Sequence, residues 1–181
     1  VEQHVHNIDI ANWFIGSLPT AAIGFGGRAR RITGDQFDFF SVDFSYDDGV
    51  HIHSACRQVN GCYNRVGELF RTDKGVIYGG GKIKLDSGES PTLASFPEHG
   101  GPYVQEHVDL LTAITKNQAI NETENVVTST LCAIMGRISA YTGQLVRWTD
   151  LTQNERSSFY NLTLSPNARE FETGPVTAPE D

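Results

Sequence analysis

Residues 37–59 alternate between apolar and polar side chains on both sides of a short turn sequence. Every second residue before the turn is apolar: Phe40, Val42, Phe44 and Tyr46. This spacing places side chains on one face of a β-strand. The turn at 47–49 reads Asp-Asp-Gly, and an Asp-Gly step between alternating segments is typical of a hairpin. The pattern therefore predicts two antiparallel strands that share a strongly apolar face.

Helical spacing appears before and after this hairpin, with further short strands between. The first helix stops at Gly16, and the last runs from an Asn-x-x-Glu capping sequence at 121–124 to Gly143. The predicted helices cover 3–15, 106–117 and 124–142. One face of the first is predicted to carry Val5, Ile8, Ala11, Asn12 and Ile15, and the stripe of the last Val127, Thr130, Leu131, Ile134, Met135, Ile138 and Tyr141. The predicted strands cover 37–46, 50–59, 66–71 and 76–78, with 21–26 and 82–85 as candidate edge strands. Residues 86–102 read as loop, and 167–181 as an extended tail.

A run of strands flanked by helices is typical of an α+β fold rather than of alternating strands and helices. We therefore predict one domain over residues 1–181, with an open, mainly antiparallel β-sheet and helices packed on one face. Aromatic side chains on both faces of the first hairpin strand indicate that the other face is covered as well. A partner subunit or a further domain would cover it, which leaves that face for oligomerisation.

Composition excludes several classes of function. The 181 residues include 14 Lys and Arg against 22 Asp and Glu, for a formal net charge of −8, the wrong sign for a nucleic-acid partner. No apolar run approaches the ~18 residues that a membrane span needs, so no membrane partner is expected. The three cysteines lack C-x-x-C spacing, which favours neither a disulfide framework nor structural zinc.

Two sets of residues resemble metal or nucleotide sites only in part. His51 and His53 point the same way on a strand and could hold a metal ion, but Arg57 stands where a carboxylate ligand would be expected. We therefore predict no metal site and keep a His51 and His53 site as an alternative. The glycine-rich stretches at 24–27 and 75–81 fit neither dinucleotide nor phosphate-loop fingerprints.

The first helix carries a candidate acid/base group. Glu2, His6 and Asp9 stand four and three residues apart, the spacing that puts side chains on one helical face. A carboxylate beside an imidazole favours its protonated form, which suits acid/base catalysis near neutral pH. A surface ion pair is an equally good interpretation of these three residues alone.

Several segments together resemble the family of glucose-fructose oxidoreductase, inositol dehydrogenase and MocA. The first is the carboxylate-x3-His-x2-Asp pattern of Glu2, His6 and Asp9, with Trp13 beyond it. The others are Gly26-Gly27-Arg28, Tyr103-x-Gln105-Glu106-His107-x-Asp109-Leu110, Asn121-Glu122, Ile134-Met-Gly-Arg137, Ala140-Tyr141-Thr-Gly143 and Tyr160-Asn161-Leu-Thr-Leu-Ser165-Pro166. Members of the family combine an N-terminal Rossmann domain with a C-terminal α+β domain, and this chain resembles only the second.

The resemblance implies a role for particular residues. His6 stands where family dehydrogenases place the histidine that removes the hydroxyl proton of the substrate. Glu2 stands where inositol dehydrogenases usually have Asp, and Asp9 matches a second carboxylate that binds a polyol or stabilises the helix. Tyr63 lies where some inositol dehydrogenases present a substrate-facing tyrosine, with cross-strand packing as the alternative.

The resemblance also implies partners. The substrate would be a sugar or polyol, and NAD or NADP would be bound mainly by the chain's own Rossmann domain, whose catalytic lysine is not part of this sequence. This chain alone would then be inactive, and it would form a homo-oligomer through the sheet. Alternatives are an NAD-dependent glycosidase of the same family and a non-catalytic assembly module. The sequence does not indicate whether the protein is cytoplasmic or exported to the periplasm.

Overall fold

The computed structural model of the chain describes residues 1–31, 36–92 and 100–160. They belong to two compact units, one formed by Val1–Arg65 with the chain from Val127 onward, the other by Val66–Val126. The elements are α1 (Val5–Ile15), β1 (Ala21–Gly27), β2 (Phe39–Ser45), β3 (His51–Arg57), β4 (Leu69–Thr72), β5 (Gly75–Tyr78), β6 (Lys82–Leu85), α2 (Pro102–Thr115), α3 (Thr123–Thr142), β7 (Val146–Arg147) and α4 (Trp148–Thr152).

The first unit is built on an antiparallel sheet with strand order β3-β2-β1-β7. The predicted hairpin is confirmed, since β2 and β3 pair in register around the turn Asp47–Gly49. In that turn Asp48 and Gly49 both take positive φ angles of 62° and 74°, a conformation that Asp and Gly tolerate better than most residues. The predicted α+β class with an open antiparallel sheet and flanking helices is thus confirmed.

One prediction about this sheet is wrong. β1 does not lie at an edge but between β2 and β7, because the two-residue strand β7 pairs with Ala21 and Ala22. A strand of two residues carries too little alternation to be recognised from sequence. The start of β1 therefore has a neighbour on both sides.

The core of this unit lies on one face of the sheet, under α1 and α3. Its buried members are Ile8, Ala22, Val42, Phe44, Tyr46, Cys132, Ala133, Met135 and Val146. The predicted inner face of α1 is confirmed, since Ile8, Ala11 and Asn12 are buried. On the opposite face of the sheet the apolar side chains of Ile23, Phe25 and Phe39 stay exposed, Phe25 at 70%.

α3 lies close to the sheet, and Met135 is the one large side chain among the buried residues of this helix. Its buried residues are Ser129, Cys132, Ala133, Met135, Gly136 and Ser139, whereas the sequence pattern predicted a stripe of mostly large apolar side chains. A Cβ on Gly24 of β1 would stand 3.0 Å from the Gly136 carbonyl oxygen and 3.1 Å from the Ala140 nitrogen. The Gly24 N–H donates a hydrogen bond to Ser139 Oγ at 2.8 Å.

The second unit contains the sheet β4-β5-β6 and helix α2. Both strand pairs are antiparallel, so the hairpin predicted at 66–78 and the edge strand at 82–85 are confirmed. α2 begins at Pro102, four residues before the predicted start, with proline in the first helical turn, where its missing N–H costs no hydrogen bond.

We predict that Gly24→Val destabilises the protein, because the new side chain would press against the backbone of α3. Overpacking of this kind lowers the free energy of unfolding by about 1–3 kcal/mol. Urea unfolding followed by circular dichroism measures the change. Ala55→Val, at an exposed position of β3 in the same sheet, is the matched control and should leave the midpoint nearly unchanged. Equal midpoints for both variants would contradict the close contact.

Candidate functional site

The first turn of α1 lies over β3. His4 Nε2 and Ser54 Oγ are hydrogen-bonded at 2.6 Å, and Val1, His4, Ser54, Cys56 and Arg137 line a small cavity there. Burial raises the pKa of the Cys56 thiol. The hydrogen bond to Ser54 therefore holds the start of the helix against the middle of β3.

The middle of α1 is held by a buried polar chain. The Tyr46 hydroxyl donates to Asn12 Oδ1 at 2.5 Å, and Asn12 Nδ2 donates to Cys132 Sγ at 3.5 Å. Burial raises the pKa of Tyr46 and brings the pKa of Cys132 to about 11. Both groups are consequently neutral at pH 7, so this chain of hydrogen bonds introduces no net charge into the core.

The three predicted site residues at the start of the chain, Glu2, His6 and Asp9, do not share the same surroundings in the structure. Ser129 Oγ on α3 donates a hydrogen bond to Asp9 Oδ1, so Asp9 ties the two helices together. Glu2 and His6 are exposed, one helical turn apart. Within the described ranges no hydrogen bond joins Glu2 to His6 or His6 to Asp9. The common face predicted from the spacing does not produce a hydrogen-bonded triad.

His6 lies on an outward face of α1 that also carries apolar side chains. Ile10 and Trp13, four and seven positions further on, are 40% and 84% exposed, and a helix brings these positions to one side. Exposed apolar groups next to a polar one are typical of a surface that another protein segment covers. The imidazole of His6 is therefore displayed at the margin of a surface suited to contact.

Tyr63 belongs to the loop at 58–65, which directly follows β3. Arg57 donates to the Tyr63 carbonyl oxygen at 2.8 Å, and Arg30 donates to the Asn60 carbonyl oxygen at 3.2 Å. The Tyr63 side chain is 80% exposed, which leaves it little of the cross-strand packing considered as an alternative. Two guanidinium groups thus hold the backbone of this loop while the phenol ring projects from it.

Asp38 binds the main chain of the loop at 29–31, a structural role that the sequence analysis did not predict. Its carboxylate accepts hydrogen bonds from the N–H groups of Ala29, Arg30 and Arg31 at 2.7–2.8 Å. These bonds, with Ala29 the largest contributor, lower the pKa of Asp38 to about 2 because they stabilise the charged form. The signal that could have revealed it is a carboxylate enclosed by Phe37 and Phe39 at the start of a strand.

The described residues offer no assembled metal or cofactor site. His51 lies on the exposed sheet face, where its Nδ1 is 2.7 Å from Asp43 Oδ1, and no group of three His, Cys, Asp or Glu in the described ranges could hold a metal ion. Gly24–Gly27 lies within β1, and residues 79–81 connect β5 to β6. Neither stretch opens a helix, so neither fits the phosphates of a dinucleotide. Among the described helices none is long and apolar enough to cross a membrane.

Comparison with known proteins rests on structure alone. The sequence matches no protein-family model and no curated protein. Among solved structures, myo-inositol 2-dehydrogenase from Lactobacillus plantarum matches 79% of this chain at 21% identity and a TM-score of 0.56. The fold is that of the C-terminal domains of glucose-fructose oxidoreductase, inositol dehydrogenase and MocA-type proteins. The fold implied by the sequence resemblance is therefore confirmed.

Two further structures with this family fold carry ligands. The WlbA dehydrogenase from Bordetella pertussis, in complex with NADH and UDP-GlcNAcA, matches 80% of this chain at 14% identity and a TM-score of 0.58. Aldose-aldose oxidoreductase from Caulobacter crescentus, complexed with glycerol, matches 80% at 13% identity and a TM-score of 0.59. The chain spans 46%, 43% and 45% of these three proteins, respectively.

We predict that Asp38→Asn destabilises the protein in a pH-dependent way. Because the pKa of Asp38 is lowered in the folded state, its contribution is complete above the unfolded pKa near 4 and declines as the pH falls towards about 2. The difference in unfolding free energy between wild type and variant should therefore shrink from pH 5 to pH 2. Asp47→Asn, in the exposed turn before β3, is the control. A difference independent of pH would contradict the assignment.

Proposed function

We propose that this chain is the substrate-binding and oligomerisation domain of a two-domain, nicotinamide-dependent oxidoreductase that acts on a sugar or polyol. His6 is its acid/base residue. The observation that carries the proposal is the exposed, apolar-flanked position of His6 on a domain with the fold of oxidoreductases. The solved proteins of this fold include an inositol dehydrogenase and a dehydrogenase in complex with NADH and UDP-GlcNAcA.

Oxidation of an alcohol removes a proton from oxygen and a hydride from carbon. The His6 imidazole accepts the proton, since no hydrogen bond to the described residues occupies it. Glu2, one turn before it, stabilises the imidazolium that forms. Asp9 Oδ1 is engaged by Ser129, so only its second oxygen remains to accept a bond from a substrate hydroxyl. Tyr63 supplies a further contact from the loop after β3.

A nicotinamide ring supplies the hydride acceptor in this class of reaction. The two glycine-rich stretches do not open a helix that could hold the phosphates of that cofactor, so we assign its binding to an N-terminal Rossmann domain. The 181-residue chain alone would then be inactive. Denaturing it beside the full-length product of its reading frame, and assaying both supernatants, should release NAD or NADP from the longer protein only.

We predict that His6→Asn lowers kcat of the full-length protein about a hundredfold or more, the range expected when a general base is lost. Sugar-dependent reduction of NAD or NADP measures the rate across a panel of aldoses and inositols. His107→Asn, at an exposed position in α2, is the matched control and should retain wild-type turnover.

Three other results would change the proposal. Unchanged turnover in His6→Asn would contradict the catalytic role of His6. Release of an aglycone without net reduction of the cofactor would indicate the NAD-dependent glycosidase instead. If the full-length protein neither contains nor binds a nicotinamide cofactor, the non-catalytic assembly module becomes the better interpretation.

The uncovered sheet face supports the oligomerisation part of the proposal. Ile23, Phe25 and Phe39 are 41%, 70% and 37% exposed there, and Phe25 and Phe39 lie on neighbouring paired strands. Contact with the same face of a second copy would remove this apolar area from water, which is the principal driving force for association.

We predict that Phe25→Glu shifts the full-length protein towards the monomer, because a buried carboxylate would face an apolar surface. Sedimentation velocity measures the distribution of species. Val66→Glu, at an 82% exposed apolar position outside the sheet, is the control and should not change it. A wild-type monomer, or a Phe25→Glu variant that remains fully associated, would contradict the proposed interface.

A further inference from the structure

We propose that the end of the sheet where β1 and β3 finish binds a negatively charged group of the substrate. We call this region the basic end and define it by Arg28, Arg30, Arg31 and Arg57. The inference rests on the proposed function and narrows it, because the sugar or polyol would then carry a phosphate or a carboxylate.

The sheet register brings these arginines to one end. Gly27 of β1 pairs with Phe39 of β2, and Phe39 pairs in turn with Arg57 of β3. Two strand spacings separate Gly27 from Arg57, about 10 Å between Cα atoms. Arg28 follows Gly27 directly, so the chain with Arg30 and Arg31 leaves the sheet at the same end as Arg57, the last residue of β3.

Among the described residues no side chain neutralises the positive charge of the basic end. Asp38 is a nearby carboxylate, but its two oxygens accept hydrogen bonds from the main-chain N–H groups of residues 29–31. Within the described part of the chain no salt bridge joins Arg28, Arg30, Arg31 or Arg57 to a carboxylate. All four side chains belong to exposed residues. Four cations are thus gathered in a chain whose net charge is −8.

The basic end adjoins the loop of Tyr63, a proposed substrate contact. Arg57 and Arg30 donate hydrogen bonds to main-chain carbonyl groups of that loop. A guanidinium group has five N–H donors. In Arg57 and in Arg30, one nitrogen of this group donates to a carbonyl oxygen of the loop. The remaining donors suit the paired oxygens of a phosphate or carboxylate.

Like charges held together are unfavourable unless an anion relieves their repulsion. A neutral sugar would gain little from such a cluster, since hydroxyl groups need single donors and acceptors rather than net charge. A substrate with an anionic group would be attracted to this end against the negative charge of the whole molecule.

The experiment is a calorimetric titration of the full-length protein with glucose 1-phosphate, glucuronate and glucose. At low salt we expect at least one of the charged sugars to bind about tenfold more tightly than glucose, and to lose this advantage as NaCl is raised. The two charged sugars distinguish phosphate from carboxylate as the source of the negative group.

The variants test the arginines directly. Arg28→Gln with Arg31→Gln should weaken binding of the charged sugar about tenfold, as expected for lost guanidinium contacts. Arg28→Lys with Arg31→Lys, which keeps the charge, should retain most of the affinity. Lys116→Gln with Arg156→Gln, at two exposed positions that are not among the residues of the basic end, removes the same charge as a control.

Charged sugars that bind no better than glucose, or that bind equally well to the double Gln variant, would overturn the inference. If turnover of a neutral sugar depends on His6 but not on these arginines, the inference about the basic end would also be overturned. The proposed function would remain. Binding of charged sugars that depends on the arginines, with His6→Asn fully active, would support the basic end and refute the catalytic role of His6.

Discussion

The close contact between β1 and α3 determines how the rest of the first unit is arranged. Glycine at position 24 lets the backbone of α3 approach the sheet, and Gly136 on the helix side would bring a Cβ within 2.9 Å of the Phe44 ring. Ser139 satisfies the Gly24 N–H, which has no partner strand at that point because β7 pairs only with Ala21 and Ala22. Small side chains, rather than large apolar ones, therefore set the distance between helix and sheet.

α1 depends on that arrangement because its polar anchors come from both the sheet and α3. Ser54 holds His4, Ser129 holds Asp9, and Tyr46 with Cys132 holds Asn12. Asn12 is buried and His4 half-buried, whereas Asp9 and His6 are exposed. The acid/base role proposed for His6 requires a helix held in this way, since proton transfer depends on a fixed geometry.

The positive charge at the basic end depends on the hydrogen bonds between the Asp38 carboxylate and the main chain. Asp38 is ionised far below neutral pH because three N–H groups stabilise it, and this fixes the loop that presents Arg28, Arg30 and Arg31. Both oxygens of this carboxylate therefore accept hydrogen bonds from main-chain N–H groups. A locally positive end can consequently exist on a molecule whose net charge is −8.

The sequence by itself determined the elements whose side chains repeat with a clear period. The hairpin of β2 and β3, the inner face of α1 and the α+β class follow from that periodicity, because local spacing decides which side chains share a face. Only the tertiary structure decided that β1 is central, that α3 buries small residues, that Asp38 binds the loop at 29–31, and that Asp9 turns to Ser129. These features depend on partners far apart in the chain, and local patterns carry no information about which distant backbone or side chain will satisfy a polar group.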